Sequence, residues 1–195
     1  MGKVKEEKHL VSLGAITLLF VLASYFLISY KAPWVDECYT YYGILHESLS
    51  AFGDSIFSGN NFSPPLYFLL NWVLTLFYPL TLDFLRFESL AWTLVGVIVC
   101  YKIIRTHHSS SLALIAITIY LPQSKILLEQ SLEARHYTMF FALGAWVIYQ
   151  TNIFIQMRDR VSKKISLILF FSHLSLCLVH YLGIVFSAIV GLSLL

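Results

Sequence analysis

"PPLYFLLNWVLTLFYPLTL", residues 64–82, is long and apolar enough to cross a bilayer, and whether it does so decides the fold. It opens with Pro64-Pro65, which no helix interior tolerates, and Pro79 interrupts it near its end. It carries Asn71, Trp72 and further aromatics of the kind that settle at a membrane–water interface. Read alone, it suits a helix lying on the membrane surface at least as well as one that crosses.

Charge placement resolves the choice. Six apolar stretches are visible, at 10–30, 64–82, 84–104, 111–128, 137–155 and 165–195. Between them lie three basic clusters: Lys3, Lys5 and Lys8; Lys102 and Arg105; and Arg158, Arg160, Lys163 and Lys164. Lys and Arg in short loops collect on the cytoplasmic side. If every stretch crosses and the N-terminus is inside, the second and third clusters fall outside. If 64–82 stays in the outer leaflet as a juxtamembrane helix, all three fall inside.

The predicted plan therefore has spans at about 10–30, 84–104, 111–128 and 137–155, with residues 31–83 as an outer loop bearing surface helices. The last stretch has 31 residues, about 46 Å as a helix, too long for one crossing. "VHYLG" at 179–183 predicts an outer hairpin that divides it into spans at about 165–180 and 182–195. The expected fold class is thus an all-α polytopic bundle, one membrane-embedded unit over 1–195 with a cytoplasmic N-terminus. The ending "GLSLL" predicts a chain that continues.

Composition agrees with the membrane class. The 195 residues are 58% hydrophobic, 16% aromatic and only 12% charged, with a mean hydropathy of +0.74. Soluble domains sit near 45–50% apolar and about 25% charged. The net charge of +2 is not massed into a basic face, so nucleic acid is not an expected partner. The apolar run after "MGKVKEEKHL" is too long for a signal-peptide core and no small-residue cleavage site follows it, so it reads as a signal anchor. Cys38, Cys100 and Cys177 have neither metal-ligand nor disulfide-framework spacing.

This plan brings the unusual polar residues to one surface. Asp36 and Glu37 follow the first span, and Asp54, Asn60, Asn61 and Ser63 share their loop. Arg86 and Glu88 open the second span at its outer end. Glu129, Glu133, Arg135 and His136 lie between the third and fourth, and His180 and Tyr181 lie at the hairpin. Adjacent helical residues diverge by about 100°, so Asp36 and Glu37 are expected to divide their roles, one facing a cavity and one anchoring locally. Glu129 and Glu133, four apart, would share a face if the helix reaches that far, and Arg135 would pair with one of them. Arg86 either reaches a ligand or snorkels to the interface. A cavity carboxylate can act as general base toward a hydroxyl. An arginine, or a divalent cation held by carboxylates, can stabilise a departing phosphate. Metal use stays open. These parts suit a transferase working on a lipid-linked phosphate at the bilayer surface.

The residues carry a family resemblance. "WVDECYTYYG", "FSPPLYFLLNW", "LRFESL", "LEARHYTMFF" and "HYLGIVF" follow, in order and spacing, motifs of the N-terminal part of the GT-C superfamily of glycosyltransferases. The chain most resembles the branch of dolichyl-phosphate-mannose protein mannosyltransferases and bacterial aminoarabinose transferases. That resemblance covers about 10–190 and implies inverting transfer of a sugar from a polyprenyl-phosphate donor to an acceptor hydroxyl at the extracytoplasmic face, in a bacterial inner membrane. It implies Asp36 as catalytic base and Glu133 lining the cavity. Glu37 stands with them, as a structural or acceptor-binding acid. Arg86, Arg135, Tyr137, His180, Tyr181, Pro64, Pro65 and Tyr67 are the implied substrate-binding residues. Ser63 departs from the ionisable residue that many members carry before Pro-Pro, and the family's later spans, which complete its lipid-phosphate site, have no counterpart here. Two other readings are a transporter with intramembrane acids and an inactive relative. Transporters place such acids near the midplane between repeated halves. Neither feature is visible in this sequence.

Overall fold

The computed structural model describes residues 2–58, 63–157 and 162–193. Asn60, Asn61, Arg158, Arg160 and the last two residues of the expected final span lie outside the described residues. Among the described residues all regular structure is helical. The helices are α1 (Gly2–Tyr30), α2 (Val35–Ile44), α3 (Leu49–Phe57), α4 (Leu66–Thr75), α5 (Leu82–His107), α6 (Ser110–Gln123), α7 (Lys125–Ser131), α8 (Tyr137–Gln156), α9 (Lys163–Val179) and α10 (Leu182–Leu192).

Three of them are long and apolar enough to cross a membrane: α1 over Val11–Ile28, α5 and α8. Their chemistry explains both properties. Within α1, only 17% of the Val11–Ile28 window is buried, so Leu18, Leu19, Leu22 and Phe26 present an apolar surface that water would not accept. α5 starts where Thr81 Oγ1 accepts the Phe84 N–H, with Asp83 in its first turn, and carries Arg105 and His107 in its last turn. That is the charge order a helix dipole favours.

The stretch at 64–82 forms a short helix, a turn and the start of α5. α4 has 10 residues, about 15 Å of helix against a hydrocarbon layer of about 30 Å. Pro65 stands at its N-cap, and Tyr67, Phe68 and Asn71 form its buried face. Trp72 Nε1 donates to the His46 carbonyl and stacks on Phe52, which joins α4 to the α2–α3 region. Leu76, Phe77 and Tyr78 stay exposed.

One expected span needs correction. Residues 111–128 do not form one straight helix: α6 and α7 meet at Ser124 with a 75° bend, so they make a fourth span only if the bent pair counts as one. Ser124 closes α6 and restarts α7, its Oγ accepting the Leu127 N–H. The segments at 165–180 and 182–195 form α9, of 17 residues, and α10, of 11. α9 covers its expected stretch at the short end of a crossing helix, and α10 runs to Leu192, one residue before the described residues end. The turn between them, at His180 and Tyr181, is the expected hairpin.

α1, α5 and α8 run between two ends of different chemistry. Leu13 packs in one cluster with Val97, Tyr101, Ala113 and Ile117, and Ile28 packs with Leu90 and Leu132, so α1 and α5 are antiparallel. Lys31, Asp36, Arg86, Glu133 and Arg135 therefore gather at one end, and Lys102 and Arg105 lie at the far end of α5. α8 leaves the acidic end at Tyr137, and α9 returns to it from Lys164 at the basic end.

Candidate functional site

Glu37 and Arg86 form the floor of the acidic end. Glu37 is fully buried and Arg86 is 2% exposed. Arg86 Nε lies 2.9 Å from Glu37 Oε1 and Nη2 lies 2.8 Å from Oε2, the two-pronged geometry that makes such pairs strong. Glu37 also accepts the Trp34 and Ala134 N–H groups, each at 2.9 Å. The rest of the guanidinium donates to the carbonyls of Ile28 (3.3 Å), Lys31 (3.0 Å) and Ala32 (3.3 Å). The pair thus caps the C-terminal end of α1, holds the N-terminus of α2 and pins the α7–α8 turn. Burial alone would push the Glu37 carboxyl up. The Arg86 hydrogen bond, the Ala134 and Trp34 amides and the Arg86 charge outweigh it and hold the group below its ordinary value.

Asp36 takes the opposite direction. Its side chain is 49% exposed and pairs with Arg135 Nη1. Arg135 Nη2 donates to Tyr137 Oη at 3.1 Å, its guanidinium carbon lies 5.1 Å from the Tyr137 ring centre, and its backbone carbonyl accepts the Ser89 hydroxyl at 3.3 Å. Two residues before Arg135, Glu133 pairs with Lys31 Nζ at 2.8 Å, and both side chains are partly exposed. The rim therefore carries two acid–base pairs, Asp36–Arg135 and Glu133–Lys31, beside the buried Glu37–Arg86 pair.

Several sequence-derived roles shift on this geometry. Glu37, grouped with the catalytic acids, has both oxygens occupied inside the protein and none facing a ligand. Arg86 neither snorkels nor meets solvent; it is buried and buttresses Glu37. Glu129 and Glu133 do not share a helical face, because α7 ends at Ser131; Glu129 pairs instead with Lys125. Arg135 pairs with neither glutamate but with Asp36. Tyr67 is fully buried against His136 and Glu88, out of a ligand's reach. Pro64 is buried and Pro65 starts α4, so both shape the loop. Tyr181 is exposed at the hairpin, and Asp54 is exposed on α3.

His180 packs 5.0 Å from His136, 5.7 Å from Tyr137 and 5.1 Å from Phe140, measured between ring centres. Its Nδ1 accepts the Leu182 N–H. His136 is nearly fully buried, and that burial, followed by the charges of His180 and Arg135, lowers its pKa to about 3. Its ring packs among those of Tyr67, Tyr137 and His180. Among the described residues no three His, Cys, Asp or Glu side chains gather closely enough to hold a metal ion. The divalent cation considered from sequence thus has no matching ligand set among the described residues.

No protein-family model, curated protein or solved structure matches the chain. Lys31 is the residue that sequence reasoning passed over. A lone lysine after an apolar run reads as an ordinary flank, and its partner Glu133 lies 102 residues along the chain, so no local signal marked the pair.

Proposed function

We propose that this protein is an inverting membrane glycosyltransferase that moves a sugar from a polyprenyl-phosphate donor to an acceptor hydroxyl at the extracytoplasmic surface of a bacterial inner membrane. The observation that supports this reading is the division between neighbouring carboxylates: Glu37 is committed to Arg86, and Asp36 stands half exposed at the rim beside Arg135. A base must be reachable by its substrate and held in place, and Asp36 meets both needs. Arg135 and Lys31 put two cations at the same rim, where an anionic leaving group can be received.

In the proposed step the acceptor hydroxyl gives its proton to Asp36 as its oxygen attacks the anomeric carbon. The bond from that carbon to the phosphate oxygen breaks, and polyprenyl phosphate leaves with the electron pair. One displacement inverts the centre. Arg135 exchanges its Asp36 contact for the phosphate as charge develops there, and Lys31 offers a second positive group. Glu133 holds Lys31, and Glu37 with Arg86 holds the backbone from which Asp36 projects.

The test is transfer by the membrane-inserted protein supplied with a panel of polyprenyl-phosphate sugars. Asp36→Asn keeps the shape of the side chain and removes its basicity. It is expected to lower turnover by about 10²-fold or more with insertion unchanged. Unchanged turnover in that variant overturns the assignment of the base, and no transfer by the unaltered protein with any donor overturns the enzyme reading.

A further inference from the structure

A groove of about 540 Å³ lies between α8 and α9, lined by Leu143 and Trp146 on one side and by Lys164, Leu167, Phe171 and Ser175 on the other. We propose that it is a binding site for one acyl chain of an anionic phospholipid whose headgroup rests on Lys164.

Chemistry, length and charge point to this occupant. Trp146 Nε1 donates to Ser172 Oγ at 3.0 Å, and that hydroxyl donates to the Ile168 carbonyl at 2.7 Å. The Trp146 and Ser172 polar groups of the wall are thus satisfied internally, and between them and Lys164 the groove offers an incoming molecule the apolar surface of Leu143, Leu167 and Phe171. A free peptide segment would leave its amides unpaired there; a hydrocarbon chain has none to pair. From Lys164 to Ser175 the lining covers about 16 Å of helix, close to half of a hydrocarbon layer about 30 Å thick. That is the depth of one leaflet. Lys164 is exposed at the mouth beside Lys163, and neither has an acidic partner among the described residues. Both belong to the first turn of α9, whose dipole also favours an anion. Basic groups at the mouth of a groove between membrane helices fit an anionic headgroup and give a zwitterionic one little advantage. Its mouth at Lys164 lies at the end of the bundle opposite Asp36 and Arg135, so headgroup binding does not depend on the proposed chemistry.

Trp146 reports on the groove. The whole chain is placed in phosphatidylcholine bilayers containing increasing fractions of phosphatidylglycerol with brominated chains, and its tryptophan fluorescence is compared with a series in which the brominated lipid is phosphatidylcholine. The Trp146 share of the signal is the difference from Trp146→Phe. Brominated phosphatidylglycerol is expected to quench that share at a fraction about fivefold lower than brominated phosphatidylcholine, and Lys164→Gln is expected to erase the difference. Lys164 is exposed, so the variant keeps the fold, which circular dichroism checks. Equal quenching by the two lipids, or a preference that survives Lys164→Gln, overturns the site. So does a Trp146 signal insensitive to either lipid in a protein whose mass is that of a dimer, since a second copy then covers the groove.

Discussion

Each of Arg86's five N–H groups has an acceptor: two at Glu37 and three at the carbonyls that close α1. Removing the guanidinium leaves a fully buried carboxylate without its cation, so Arg86→Met is expected to destabilise the fold by about 3–5 kcal/mol. Glu37→Leu combined with Arg86→Met removes both charges and is expected to recover much of that loss, because an apolar pair avoids the desolvation of two ions. Thermal unfolding of the parent, the Arg86→Met protein and the double variant in one detergent checks this; an Arg86→Met protein as stable as the parent would remove the proposed floor of the site. The pair also has a pH signature. The folded-state pKa of Glu37 lies below its ordinary 4.5, so its contribution is fully present above that value and is lost as pH falls below it. The double variant should lack that acid-side loss. The divergence of Asp36 and Glu37 was legible in their adjacency. The partner of Glu37 was not, because it lies 49 residues along the chain and a lone arginine at a helix start looks the same whether it snorkels or locks.

Elements were legible where polar residues punctuate them. "VHYLG" marked the α9–α10 turn because His180 and Tyr181 interrupt a long apolar run. The bend at Ser124 was missed because hydropathy sums across it; "YLPQS" held the signal, a proline without an amide donor followed by a serine able to start a new helix. Gly183 is a different kind of requirement. A Cβ there would lie 2.3 Å from the Leu176 carbonyl oxygen, a backbone atom that cannot turn aside. Gly183→Ala is therefore expected to push α10 off α9 at a cost of about 1–3 kcal/mol. Cys177, whose Sγ lies 3.6 Å from Ser187 Oγ across this hairpin, should become more reactive to thiol reagents as the melting temperature drops. A variant with the parent's melting temperature and thiol reactivity would show that the close approach is not needed.

At the scale of the molecule, charge is sorted by state of pairing. At the acidic end Lys31, Arg86 and Arg135 each meet a carboxylate, whereas Lys102, Lys163 and Lys164 at the far end have none among the described residues. Cations already matched inside the protein give little drive toward the cytoplasmic side, so the orientation should follow the unmatched ones. That orientation would make the acidic end extracytoplasmic. Cys38, exposed on α2 next to Glu37, should react with a membrane-impermeant thiol reagent in intact cells. In a Cys38→Ser background, a cysteine introduced by His108→Cys, exposed beyond the end of α5, should react only after permeabilisation. Cys100 and Cys177 are partly covered within apolar helices and set the background. Reaction of the second protein in intact cells, with Cys38 silent in the first, would invert the molecule. The packed helices and the Glu37–Arg86 pair would stand unchanged, but Asp36 would face the cytoplasm, and transfer at the outer surface would have no base.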